Sequence, residues 1–118
     1  MDDPTLRIME RRRASGTVYL AVQGEIDIAT VEVLADRLDG VCAPDGVVTV
    51  DLRRVSFMDC LGLRVLLDLH EQGIARRCRV EFVPGPAQVQ RLLEVTGTLD
   101  TLCFVDAGTR ADAAAAST

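Results

Sequence analysis

Apolar residues change their spacing several times along the chain, and each change marks an element. Residues 6–10, Leu-Arg-Ile-Met-Glu, alternate apolar and polar, as an edge strand does. Ala14, Ser15 and Gly16 supply a turn. Residues 17–22, Thr-Val-Tyr-Leu-Ala-Val, then read as the antiparallel hairpin partner. Gly24, Glu25, Ile26 and Asp27 are expected to break that strand. Between residues 30 and 41, Val31, Leu34, Leu38 and Val41 recur at helical spacing. Asp27 or Thr30 can cap this helix, and the stretch 40–46, with Pro44, ends it.

The most informative stretch spans residues 47–73. Val47, Val48, Thr49 and Val50 form a β-branched run, which reads as a buried strand. A charged turn is expected at Asp51, Arg53 and Arg54, followed by a second apolar patch, Val55-Ser56-Phe57-Met58. Beyond Asp59 the spacing becomes helical. Leu63, Leu66, Leu67 and His70 share one face, with Val65 and Leu69 beside it. Asp59 suits the N-cap, because a carboxylate can accept the free amides of the first turn. Cys60 then falls at the positive end of the helix dipole, a place that favours an anion.

Downstream, residues 79–83 read as a strand, and Pro84-Gly85-Pro86 punctuates it. Residues 87–95 read as a helix burying Val89, Leu92 and Leu93, with Gly97 suited to a left-handed stop. Residues 102–105 read as a last short strand. Helices thus alternate with strands after an N-terminal antiparallel hairpin. This order predicts an α/β fold: a mixed β-sheet with α-helices packed on it.

Composition narrows the function classes. The chain has 118 residues, enough for one domain with a single core, and 48% of them are apolar. Aromatic residues make up 3%, with no Trp, so the core must be built from aliphatic side chains. No apolar run approaches the roughly 20 residues that span a membrane. The N-terminus lacks the basic-then-apolar order of a secretion signal, so a cytoplasmic protein is expected. The net charge of −5 argues against nucleic acid as partner, and Arg11-Arg12-Arg13 and Arg76-Arg77-Cys78-Arg79 read as solvated turns. All thirteen basic residues are Arg, which suggests the codon bias of a GC-rich bacterium.

Catalytic and cofactor chemistry finds little to work with. The four cysteines form no C-x-x-C pair, and the single histidine has no second ligand nearby in sequence, so no metal site is expected. Cys42, Cys78 and Cys103 lie in or beside apolar runs and are expected to be buried thiols. No glycine-rich phosphate loop is present. About ten residues of helix would hold Cys60 and His70 roughly 15 Å apart, too far for a nucleophile–base pair. The residues imply a binding module rather than an enzyme, with no cofactor.

Several short motifs occur in order: Gly24-Glu25-Ile26-Asp27 with Thr30, Val50-Asp51-Leu52, and Val55-Ser56-Phe57-Met58-Asp59 with Gly62-Leu63. Gly85-Pro86 and Leu92-Leu93-Glu94 with Thr96-Gly97 follow. As a set, over roughly residues 5–106, the chain resembles a STAS domain of the anti-sigma factor antagonist family. The Ala-rich tail, 107–118, lies outside the resemblance and is expected to be frayed or disordered.

The resemblance implies partner switching. Family members bind a serine-kinase anti-sigma factor and so release a sigma factor. The kinase phosphorylates the Ser directly after the motif's Asp, and roughly two added negative charges on the docking surface break the complex. The implied partner-binding residues are Asp27, Asp59, Cys60, Leu61 and Gly62. Asp27 corresponds to a residue in the loop facing the kinase. Gly62 is also expected to let the helix start approach a neighbour closely.

At the decisive position this chain departs from the family. Cys60 stands where the acceptor Ser is expected, and Leu61 follows it. The usual phospho-switch is therefore expected to be missing. The protein could bind its partner without being switched off, be switched by oxidation of a helix-N-terminal thiol, or serve another protein partner. A buried or half-buried Ser substitute is the plain expectation for Cys60. Ser56 is expected to pack rather than to replace the acceptor. The alternative function is a STAS-type scaffold or accessory subunit in another signalling or transporter complex, which could include lipid or nucleotide binding.

Overall fold

A computed structural model describes residues 5–105. The elements are β1 (Leu6–Arg12), β2 (Thr17–Ile26), α1 (Val31–Leu38), β3 (Val47–Met58), α2 (Cys60–Arg76), β4 (Arg79–Val83) and α3 (Ala87–Val95). The sheet order is β1-β2-β3-β4. β1 runs antiparallel to β2, whereas β2–β3 and β3–β4 are parallel. This is the expected mixed sheet with an N-terminal antiparallel hairpin. The 107–118 tail lies outside the described residues.

One cluster forms the core. The strands contribute Val18, Leu20, Val22, Val48, Val50, Leu52, Val80 and Phe82. The helices answer with Leu34 and Leu38, with Leu63, Leu66 and Leu69, and with Val89 and Leu93. Parallel strands need helical crossovers, and these place the helices over the sheet.

Several elements depart from the sequence expectation. The charged stretch Asp51–Arg54 is not a turn: β3 runs unbroken for 12 residues. Its register against β2 slips twice. Ala21 pairs with Asp51 but Gln23 with Arg54, and Gly24 pairs with Val55 but Glu25 with Phe57. Each slip is a bulge with one extra residue on β3. The bulges expose Arg53 and Arg54 together, then Ser56 and Phe57 together, between buried Leu52, Val55 and Met58. Two exposed neighbours imitate a turn in a pattern that assumes strict alternation. For the same reason Ser56 is exposed instead of packed.

The break expected at residues 24–27 is also absent, because β2 continues to Ile26. Gly24 sits within it at φ +116°, where a Cβ would lie 1.9 Å from the Thr5 carbonyl oxygen. α1 is shorter than expected; Val41 is buried from the loop after the helix rather than from the helix itself. The expected last strand is reduced to one bridge, Phe82 to Phe104. On α2 the buried residues are Gly62, Leu63, Leu66, Leu69 and Gly73, while Leu67 and His70 are half-buried. Leu92 is likewise half-buried.

Two interactions fix the middle and end of β3. In the middle, Asp51 is buried on the second face of the sheet. Arg53 grips its carboxylate through Nε and Nη2, the latter at 2.7 Å, and the Tyr19 hydroxyl donates to the same carboxylate. At the end, Gly62 lets the first turn of α2 rest on the β2–β3 pair. A Cβ there would lie 2.5 Å from Ile26 Cγ2 and 2.7 Å from Met58 Cγ. Ile26 and Met58 are paired across the strands, and both are buried.

These contacts generate two expectations. Gly62→Val should cost about 1–3 kcal/mol by overpacking, with only a few tenths regained from helix propensity. The exposed change Cys60→Ser should stay within about 0.5 kcal/mol, and urea unfolding of both variants checks the contrast. For Asp51, burial alone would raise its pKa, but the hydrogen bonds from Arg53 and Tyr19 outweigh burial and lower it below 3.8. The group therefore stabilises the fold above the unfolded-state value, and that stability drains away as pH falls below about 4. Asp51→Asn should lower the urea midpoint at pH 7 and flatten its fall as the pH drops below about 4; an unchanged slope would contradict the network.

Candidate functional site

The parallel pairing of β2 and β3 brings two loops to one end of the sheet. Ile26 pairs with Met58, and the Asp59 amide donates to the Ile26 carbonyl at 3.2 Å. The 27–30 loop and the start of α2 are therefore neighbours.

The 27–30 loop is tied down by short polar side chains. Asp27 Oδ1 accepts from the Ala29 amide at 2.9 Å. The Asp27 amide donates to Thr30 Oγ1 at 3.0 Å, and that hydroxyl donates to the Glu25 carbonyl at 2.7 Å. Thr30 is 7% exposed. Neither Asp27 nor Thr30 caps α1 with its side chain, contrary to the sequence expectation. Thr30 occupies the N-cap position without a side-chain cap bond, and the Asp27 backbone carbonyl accepts from the Val31 amide. Asp27 shapes the turn that precedes the helix, and it remains half-exposed.

Asp59 caps α2 with one carboxylate oxygen. Oδ1 accepts from the Leu61 amide at 3.0 Å and from the Gly62 amide at 3.3 Å. Cys60 is the first helical residue, and its side chain is exposed. The expectation of a buried or half-buried residue here is thus corrected. Leu61 is 41% exposed beside it. Gly62 is buried beneath. The five candidate residues therefore gather on the 27–30 loop and the adjoining start of α2, with Asp27, Asp59, Cys60 and Leu61 reaching the surface and Gly62 acting from below.

Sequence patterning does not single out the apolar residues around them. Ile28 is 80% exposed, and Phe57 is exposed by the second bulge. Ile28 leaves a signal, since it is a large aliphatic residue in a short polar loop outside any periodic pattern. Phe57 leaves none, because alternation hides the bulge. A shallow groove of about 390 Å³ continues from Cys60 and Leu61 past Arg64 and Leu67 to Glu71 along α2. Leu61 and Leu67 line this groove together with Arg64, Asp68 and Glu71, and a mixed apolar and charged lining on a helix start fixed by its cap suits docking of a protein surface.

The other cysteines behave differently. Cys42 and Cys78 are buried, whereas Cys103 is exposed, against expectation, because residue 103 lies beside the sheet edge rather than in a strand. Burial pushes the Cys42 thiol up to about 11, and neighbouring Cys78 adds to the shift. Such a thiol is unreactive. Among the described residues, no group of three or more His, Cys, Asp or Glu side chains could hold a metal ion. Among the described residues, no helix is long and apolar enough to cross a membrane.

Comparison with known proteins agrees with this architecture. The family model described as "Mlab, STAS domain" matches residues 9–105. An anti-sigma factor antagonist from Mycobacterium paratuberculosis superposes with a TM-score of 0.73 at 23% identity, covering 88% of this chain and 89% of that one. The anti-sigma factor antagonist SpoIIAA in its unphosphorylated form gives 0.71 at 17% identity, covering 90% and 94%. The murine Solute Carrier 26 family member A9 anion transporter gives 0.64 at 19% identity, covering 78% of this chain but 16% of that chain. No curated protein sequence matches significantly. On the match over residues 9–105 and the shared mixed-sheet fold, the chain belongs to the STAS domain family.

Proposed function

We propose that the protein is an antagonist-like binding module that engages an anti-sigma factor of the serine-kinase type and so frees a sigma factor. Its contact surface is the 27–30 loop with Asp27 and the adjoining capped start of α2 with Asp59, Cys60 and Leu61, with Gly62 setting the height of the helix. The observation that carries this reading is the exposed first turn of α2. Cys60 and Leu61 stand free beside a cap whose carboxylate is already engaged by two amides. The likeness to two anti-sigma factor antagonists supports it.

The module is not switched by serine phosphorylation at this turn. A thiol replaces the hydroxyl at position 60, and the following residue is Leu. Cys60 then serves as a small contact residue, and Leu61 supplies apolar area. In the switched members of the family, phosphate at this place adds roughly two negative charges to the interface. Here that charge is not installed, and the complex stays formed.

A second reading is a STAS-type scaffold or accessory subunit. The missing hydroxyl favours it, and so does the similar fold within an anion transporter.

Capture from the native lysate separates the two. Wild type and Cys60→Ser should both retain a protein with an ATP-binding kinase fold. Cys60→Asp should lose it by at least about tenfold, the effect of roughly 1.4 kcal/mol at an interface. Capture of one unrelated protein by all three would overturn the antagonist reading in favour of the scaffold.

A further inference from the structure

The second face of the sheet carries a groove of about 600 Å³ over β1, β2 and β3, away from the Cys60 turn. Strand register sets its layout. Met9, Ala21 and Asp51 are aligned across the three strands, so a methyl group forms the floor. On one side Arg7, Gln23 and Arg54 form a parallel row, and on the other Tyr19 stands opposite Arg11. Longer side chains therefore wall in a short one.

The β3 bulge supplies the charge. Without the extra residue, Arg53 and Arg54 would point to opposite faces; with it, both line the groove. Their roles differ. Arg53 is committed to Asp51, which Tyr19 also binds, and this makes a fixed end wall. Arg7 and Arg54 make no salt bridge among the described residues. Across two strand spacings their Cα atoms lie about 10 Å apart, so their flexible guanidinium groups can converge on one acidic group beside the Gln23 amide. Four arginines and one carboxylate line this groove, on a chain of net charge −5.

We propose that this groove binds a small organic anion. Its acidic group, a phosphate or carboxylate, is held by Arg7, Gln23 and Arg54, and its flat or aliphatic body lies over Ala21 between Met9 and Tyr19. The size favours a small molecule, since such sites enclose about 300–1,000 Å³. A peptide strand added along β1 is obstructed, because Arg37 of α1 donates to the outward Ile8 carbonyl and pairs with Glu10. Met9, 58% exposed, is an adaptable wall for an apolar body.

The test is an amide-resonance titration of the isotope-labelled full chain. Naphthyl phosphate and naphthoate represent the two sources of acid, and naphthalenemethanol and inorganic phosphate carry the body or the charge alone. Saturable shifts at Met9, Ala21 and Gln23 are expected with at least one aryl acid, and the stronger of the two identifies the acidic group. The neutral alcohol and inorganic phosphate should bind at least about tenfold more weakly, as should either aryl acid to the double variant Arg7→Gln/Arg54→Gln. Both arginines are exposed, so amide shifts elsewhere in that variant should match wild type. Absence of saturable shifts, equal binding of the alcohol, or undiminished binding to the double variant would overturn the proposal.

Discussion

The molecule depends on one strand being paired on both sides. β3 is bonded in parallel to β2 and to β4, and it is the longest strand in the sheet. A parallel strand in that position must be covered, which the β-branched run Val47–Val50 and the buried Leu52 and Val55 reflect. Its C-terminal end places Met58 beside Ile26. That pair is the platform on which the first turn of α2 sits, and Gly62 is what permits the contact. The Asp59 cap, the exposure of Cys60 and the neighbouring 27–30 loop all follow from where this strand stops.

The two bulges on β3 give the strand its second role. Each adds a residue and turns two consecutive side chains outward. The first delivers Arg54 to the groove while Arg53 closes on Asp51. The second exposes Ser56 and Phe57 shortly before the Asp59 cap. A regular strand of the same composition would have hidden one member of each pair. Irregularity in the most constrained strand therefore shapes the groove, whereas the end of the same strand sets the turn at Cys60.

Much of this is legible in the sequence where a single local rule decides the outcome. β4 and α3 begin and end where alternation, Pro and Gly place them, with Gly97 at φ +74° after the helix. Asp59 is legible as a cap because its carboxylate directly precedes a helical run. Gly62 is legible as a close approach because a glycine inside that first turn weakens the helix unless something packs against it. The Asp51–Arg54 stretch misleads because a bulge breaks the period on which a strand is recognised. Gly24 imitates a breaker because its positive φ lies inside a strand that depends on contacts with Thr5. The exposure of Cys103 and the approach of Tyr19 to the Asp51–Arg53 pair depend on tertiary neighbours distant in sequence.

On the proposed reading, the thiol and leucine side chains at this capped helix start form the partner surface, and position 60 offers no hydroxyl to a serine-directed kinase. The claim that this turn and the 27–30 loop together form the contact is tested most directly by amide hydrogen exchange. The full chain is compared alone and in complex with the partner captured from its own cells. The account predicts slowed exchange at residues 27–30 and 60–61, with little change at the 43–46 loop at the far end of β3. Slowing confined to the sheet groove or to that far end, with both loops unchanged, would contradict it.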